Sequence, residues 1–184
     1  MSKRAASGSS ENNVSTINNI YYGCFFCRSG SEERIIHEMS ISHPQMDCIS
    51  PKRVRVRRQG ENETVTLFPG YIFFRISSSI DFRALVQKTD VYKLLQYPNG
   101  DWVLHGADLK IAMMIFEMGG VFILSKACYD DTGIQFLSGP LKEYENHMTK
   151  IDKRAKTARV TMVFHGREMT LWLGYEIENE EKNS

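Results

Sequence analysis

The chain has 184 residues, 42% of them hydrophobic and 24% charged. That is close to ordinary globular usage and supplies a core for one domain or two small ones. With 23 Lys and Arg against 22 Asp and Glu, net charge names no partner, so the placement of the charges carries the information.

No apolar run approaches the ~18 residues of a membrane span. The first nineteen residues lack the apolar stretch of a signal peptide, and four cysteines (Cys24, Cys27, Cys48, Cys128) do not make a disulfide scaffold in a chain of this size. The expectation is a cytoplasmic, monomeric protein with no membrane contact.

In chain order, residues 1–19 are small and polar without apolar periodicity and predict a disordered tail. Structure begins at Ile20, where IYYGCFFC predicts a strand. Ser29 and Glu32 have the spacing of a capping box, and Ile35, Ile36 and Met39 follow at helical spacing, predicting a helix from Gly30 to about Met39. Val54 and Val56 then alternate with Arg53, Arg55 and Arg57, and Gly60 with Asn62 turns the chain back through Thr64 to Leu67, a hairpin with one basic face.

Pro69-Gly70 ends that hairpin, and YIFFRI predicts a central strand. Asp81 caps a helix containing Phe82, Leu85 and Val86. Val91–Gln96 predicts another strand, with Asn99-Gly100 turning into WVL as a tight hairpin. Leu109, Ala112, Met113 and Phe116 line one face of a further helix, which Gly119-Gly120 ends. From Thr132 onward, short β-like runs separated by Gly, Pro, Asn and Asp predict about five strands, most economically a barrel. The fold class expected is α+β, an antiparallel sheet flanked by helices, followed by a small all-β barrel. The expected boundaries are a tail at 1–19, a first domain at 20–120, a connector at 121–131, a barrel at 132–179 and an acidic tail at 180–184.

Two clusters break the overall charge balance. Residues 51–60 hold Lys52, Arg53, Arg55, Arg57 and Arg58 with no acid; residues 150–159 hold Lys150, Lys153, Arg154, Lys156 and Arg159 against Asp152 alone. Clustered cations bind phosphates with counterion release, which points toward nucleic acid; a solvated face is the plainer alternative.

Catalytic signatures are missing. Cys24 and Cys27 form a CxxC, but a zinc site needs a second ligand pair, and residues three apart on a strand point to opposite faces. They are expected to be packing residues. The five histidines have no partner spacing, and no nucleophile elbow, P-loop or dinucleotide glycine pattern occurs. No enzyme, metal or cofactor is expected.

Three segments resemble the NusG family of transcription elongation factors. YYGCFFCRSGSEERIIHEM is similar to the opening strand and helix of its amino-terminal domain, LFPGYIFFR to the turn before the central strand, and SGPLKEYENHMTKIDKRAKTARV to the KOW motif of its SH3-like barrel. Within the family, the last segment is most similar to the antiterminator paralogue LoaP, although Glu143 and Asn146 stand where such sequences usually carry glycine. The resemblance implies that the first domain binds the clamp helices of RNA polymerase, with Tyr22, Phe68, Pro69, Gly70 and Tyr71 at the contact. It implies that the barrel binds a structured RNA hairpin through Lys142, His147, Lys150, Lys153, Arg154, Lys156 and Arg159. By the same logic Lys52, Arg53, Arg55, Arg57 and Arg58 would contact upstream DNA. Antitermination in specific operons is the implied function. The alternatives are a housekeeping elongation factor whose barrel binds proteins, a ribosomal KOW protein and a thiol or metal enzyme at Cys24 and Cys27.

Overall fold

The computed structural model describes residues 20–56, 61–78, 80–88 and 90–178. Both expected tails and the residues Arg57 and Arg58 lie outside the described residues. Strands β1 (Tyr21–Cys27), β2 (Met46–Ile49), β5 (Tyr71–Ile76) and β6 (Val91–Leu94) form an antiparallel sheet in the order β2-β5-β1-β6. Period-two alternation sorts their side chains onto two faces. Phe25, Cys27, Ile72, Phe74 and Ile76 pack with Ile35 and Met39 of α1 (Glu32–Ser42) and Leu85 of α2 (Phe82–Lys88). The opposite face, carrying Tyr22, Cys24, Phe26, Tyr71 and Phe73, packs with α3 (Gly106–Glu117) in a second cluster. Gly23 is required inside β1, because a Cβ there would stand 2.2 Å from the Phe74 ring.

The basic segment forms the expected hairpin, β3 (Lys52–Val56) paired with β4 (Asn62–Thr66). Its other edge pairs in parallel with β7 (Val121–Phe122). A second sheet follows in the order β10-β11-β12-β8-β9, built from β8 (Ser125–Asp130), β9 (Gly133–Ser138), β10 (Met148–Asp152), β11 (Thr157–Phe164) and β12 (Arg167–Ile177). They are arranged as a half-barrel, and four of the five, β9 to β12, fall in the stretch from Thr132 where about five strands were expected. The first of them, β8, falls inside the segment expected to be a connector and pairs in parallel with β12 through Ser125 and Tyr175. Its buried positions, Ser125 and Ala127, are small, so the strand carries little apolar signal.

Other local expectations shift. Helix α1 starts at Glu32 with Ser31 at its N-cap and no side-chain cap hydrogen bond. Ser29 therefore does not cap, but the buried Glu32 carboxylate takes up free amides as the spacing suggests, accepting from Gly30 N at 2.7 Å and from Gly70 N at 2.6 Å. Asp81 caps α2 as expected, its Oδ1 accepting from the amides of Arg83 and Ala84. Asn99-Gly100 turns the chain, yet WVL is not a strand; Trp102 instead packs its ring on Phe82 at 4.7 Å and Phe74 at 5.6 Å.

The buried face of α3 is Ile111, Ala112, Met114, Ile115 and Phe116, with Met113 exposed. The expected stripe through Met113 is rotated because the half-barrel covers α3 from a second side, where the Tyr144 hydroxyl donates to Met114 Sδ at 3.0 Å. The SGP segment continues into a single helical turn, α4 (Pro140–Glu143), and a 3-10 turn at Glu145–His147. Gly139 takes φ 85°, and a Cβ there would lie 2.9 Å from Ser125 Cα, so the chain can pass β8 only with glycine.

Candidate interaction surfaces

The expected partner-binding aromatics converge on one sheet face. Tyr22 is half-buried and meets Phe116 of α3 edge-on at 5.6 Å. Tyr71 is half-buried and meets Phe26 edge-on at 5.3 Å. Between them Phe73 is fully buried, tilted against Phe68 at 5.9 Å. Pro69 is exposed, and Gly70 is buried with φ 83°. Phe68 itself is only 1% exposed, so in this arrangement it supports the face from within rather than presenting to solvent. Phe26 and Phe73 complete the face and were not singled out from the sequence, although alternation through YYGCFFC and YIFFRI places them beside Tyr22 and Tyr71.

The half-barrel closes this face. Phe164, at the end of β11, sets its ring 5.1 Å from Phe73 and 6.2 Å from Tyr71. The next two residues, His165 (φ 50°) and Gly166 (φ 72°), form the two-residue β11–β12 turn. Positive φ at both positions is the type I′ pattern, in which histidine is costlier than glycine or asparagine. The first domain holds that turn in place. Asp108 of α3 accepts from the His165 backbone N–H at 3.0 Å through Oδ1 and from the Tyr97 hydroxyl at 2.7 Å through Oδ2. The Tyr97 ring stacks on His165 at 4.7 Å and on His105 at 4.1 Å. Burial and the bond to Asp108 push the Tyr97 phenol up to about 12, so it remains a donor at physiological pH. No sequence pattern marks Phe164, Asp108 or Tyr97, because their pairing joins distant segments.

The contact between the two units belongs to one continuous buried cluster, which runs from Phe73 and α3 into Val160, Met162 and Phe164 of β11. A partly solvent-open pocket of ≈ 300 Å³ lies at its edge, lined by Phe26, Tyr71 and Phe164 with Lys93, His165 and Arg167.

The two cation clusters differ in availability. On β3, Lys52 pairs with Glu33 at 2.6 Å and Arg55 pairs with Glu63. Arg53 is half-buried, desolvation lowers its pKa, and its Nη1 has no hydrogen-bond partner among the described residues. In the half-barrel, Lys142 pairs with Glu145 at 2.9 Å, and the exposed His147 meets Tyr144 edge-on. Lys150 and Arg159 stand opposite each other across β10 and β11, and Arg159 Nε donates to Thr149 Oγ1 at 2.8 Å. Lys153, Arg154 and Lys156 occupy the exposed β10–β11 turn. Asp152 Oδ1 accepts from Ala155 N at 2.9 Å to shape that turn, and Lys156 takes φ 49°. The structure therefore gathers Lys150, Lys153, Arg154, Lys156 and Arg159 on one hairpin, and leaves Lys142 and His147 on the short helical segment before it.

Cys24 and Cys27 belong to different apolar clusters on opposite sheet faces, as their spacing predicts. Burial raises both thiols, Cys27 to about 11, and Cys48 to about 12, which disfavours the thiolate that nucleophilic or metal chemistry uses. Among the described residues no group of three His, Cys, Asp or Glu could hold a metal ion, and no helix is long and apolar enough to cross a membrane.

Residues 21–105 match the family model described as "Transcription termination factor nusG". The fold is similar to the solved structure "Domain interaction in Thermotoga maritima NusG", with a TM-score of 0.50 and 15% identity over 85% of this chain and 94% of that one. No curated protein matches the sequence.

Proposed function

Taking the NusG-family domain at residues 21–105 as the premise, we propose that this chain is a transcription antitermination factor. Its first domain binds the clamp helices of RNA polymerase, and its half-barrel binds a structured leader RNA. The observation that carries the reading is the aromatic sheet face of Tyr22, Phe26, Tyr71 and Phe73, with the barrel residue Phe164 set against Phe73 and Tyr71. Aromatic groups concentrated on one face are the usual anchors of protein interfaces. Polymerase and the half-barrel would compete for that face, so the factor acts when the two units part. Once bound, a brace across the clamp favours the elongating conformation by as much as it binds that state better than the paused one.

The exposed cations of the β10–β11 hairpin supply the RNA contact, since structured RNA is recognised mainly through shape, phosphate and 2′-OH. This feature favours the LoaP-like reading over a housekeeping factor whose barrel binds proteins. The β3 cations would contact upstream DNA in the same assembly, although Lys52 and Arg55 must first leave Glu33 and Glu63.

Single-round transcription tests the scheme. Readthrough of a terminator should rise only on templates whose leader encodes the recognised RNA. Equal activity on every template would assign the barrel to protein partners instead.

A further inference from the structure

We propose that Tyr129 is a stacking platform for an unpaired RNA base, so that the half-barrel selects a looped or bulged RNA over a continuous duplex. The inference rests on the RNA-binding reading above and specifies the feature of the RNA that is recognised. Tyr129 is the penultimate residue of β8 and is 53% exposed, the most exposed Phe, Tyr or Trp among the described residues of the half-barrel. Its ring lies beside the β10–β11 turn, with Lys153 Nζ 5.8 Å from the ring centroid. An exposed ring and a cationic turn at one corner are the two components of single-strand recognition, stacking for the base and charge for the backbone.

The corner is also preorganised. Asp130 Oδ1 accepts from Thr132 N, Thr132 Oγ1 and Gly133 N at 2.6–2.9 Å, which fixes the turn that follows the ring. On the other side, Tyr175 N–H donates to the Lys156 carbonyl at 3.0 Å, while the buried Tyr175 hydroxyl has no hydrogen-bond partner among the described residues.

Charge alone does not make this corner attractive to phosphate. The two turns and the strand ends that flank them carry Asp130, Asp131 and Asp152 as well as Lys153, Arg154 and Lys156. A ligand that also offers a π-face gains most there, and a fully paired helix offers none along its length. A protein hot spot would instead pair the ring with a water-excluding apolar surround, whereas these turns are built of charged residues.

The experiment uses the full chain and two synthetic RNAs sharing one stem, a hairpin with a purine-rich loop and the same stem as a blunt duplex. The wild-type protein should prefer the hairpin. Tyr129→Ala should weaken hairpin binding by about tenfold, a typical loss for one stacked base, leave duplex binding unchanged and keep the salt dependence. Tyr129→Phe should retain the preference. The Lys153→Ala, Arg154→Ala, Lys156→Ala triple variant should weaken both RNAs and flatten the salt dependence. If Tyr129→Ala keeps the hairpin preference while the triple variant loses binding, the platform is overturned and the RNA reading stands. If the wild type binds neither RNA at low salt, both fail, and the corner belongs to a protein partner.

Discussion

Lys156 shows how much a single residue can reveal. At φ 49° it sits where glycine or asparagine would cost less, and it is retained as a cation in the turn proposed to meet RNA. Lys156→Gly relieves about 1 kcal/mol of backbone strain and gives back about 0.4–1 kcal/mol through the freer unfolded chain. The melting temperature should therefore change little. The logarithmic salt dependence of RNA binding should flatten by about 0.7–0.9, the value of one phosphate contact. Thermal denaturation and a salt titration read the two effects separately. A large fall in stability with unchanged binding would make Lys156 a structural residue only. Phe68 teaches the reverse. Its near-complete burial means that Phe68→Ala would cost about 3–5 kcal/mol through the cavity it leaves, so Tyr22 and Tyr71 probe the sheet face more cleanly.

Among the elements, the β11–β12 turn is a part of the half-barrel that reaches across the boundary, as Tyr144 also does. Phe164→Ser should loosen the closed form, because its ring meets Phe73 and Tyr71 of the first domain. The expected outcome is tighter polymerase binding with both units still folded, seen as amide spectra in which shifts concentrate on the sheet face and α3. Tyr97→Ala, on the opposite side of the same contact, should act in the same direction. Unchanged spectra on the sheet face would mean that Phe164 is not what holds the units together.

The docking of that turn on the first domain was not legible in the sequence, whereas β1, the β3–β4 hairpin, β5 and α2 were, since alternation, turn residues and the Asp81 cap are local signals. The strand β8 and the rotated face of α3 escaped for a shared reason. Both are set by what packs on them from the half-barrel, and short-range periodicity does not record a distant neighbour. The candidate residues divide in the same way. The cations of the β10–β11 hairpin were visible as a run, while the pairing of Lys52 with Glu33 depends on the tertiary fold.

For the whole molecule, the two units are joined by a mixed contact. A buried aspartate, a three-ring stack and Phe164 form it within one continuous buried cluster, beside a partly open pocket of ≈ 300 Å³. The proposal is that this contact gives way to the polymerase clamp. The most direct measurement is a titration of the labelled full chain with RNA polymerase core enzyme, comparing the wild type with a Tyr22→Ala, Tyr71→Ala double variant of verified fold. Saturable binding by the wild type, weakened at least about tenfold in the double variant as for loss of interface anchors, is the result expected. No binding by the wild type or by Phe164→Ser, or equal affinity in the double variant, would contradict a polymerase-binding role for the aromatic sheet face.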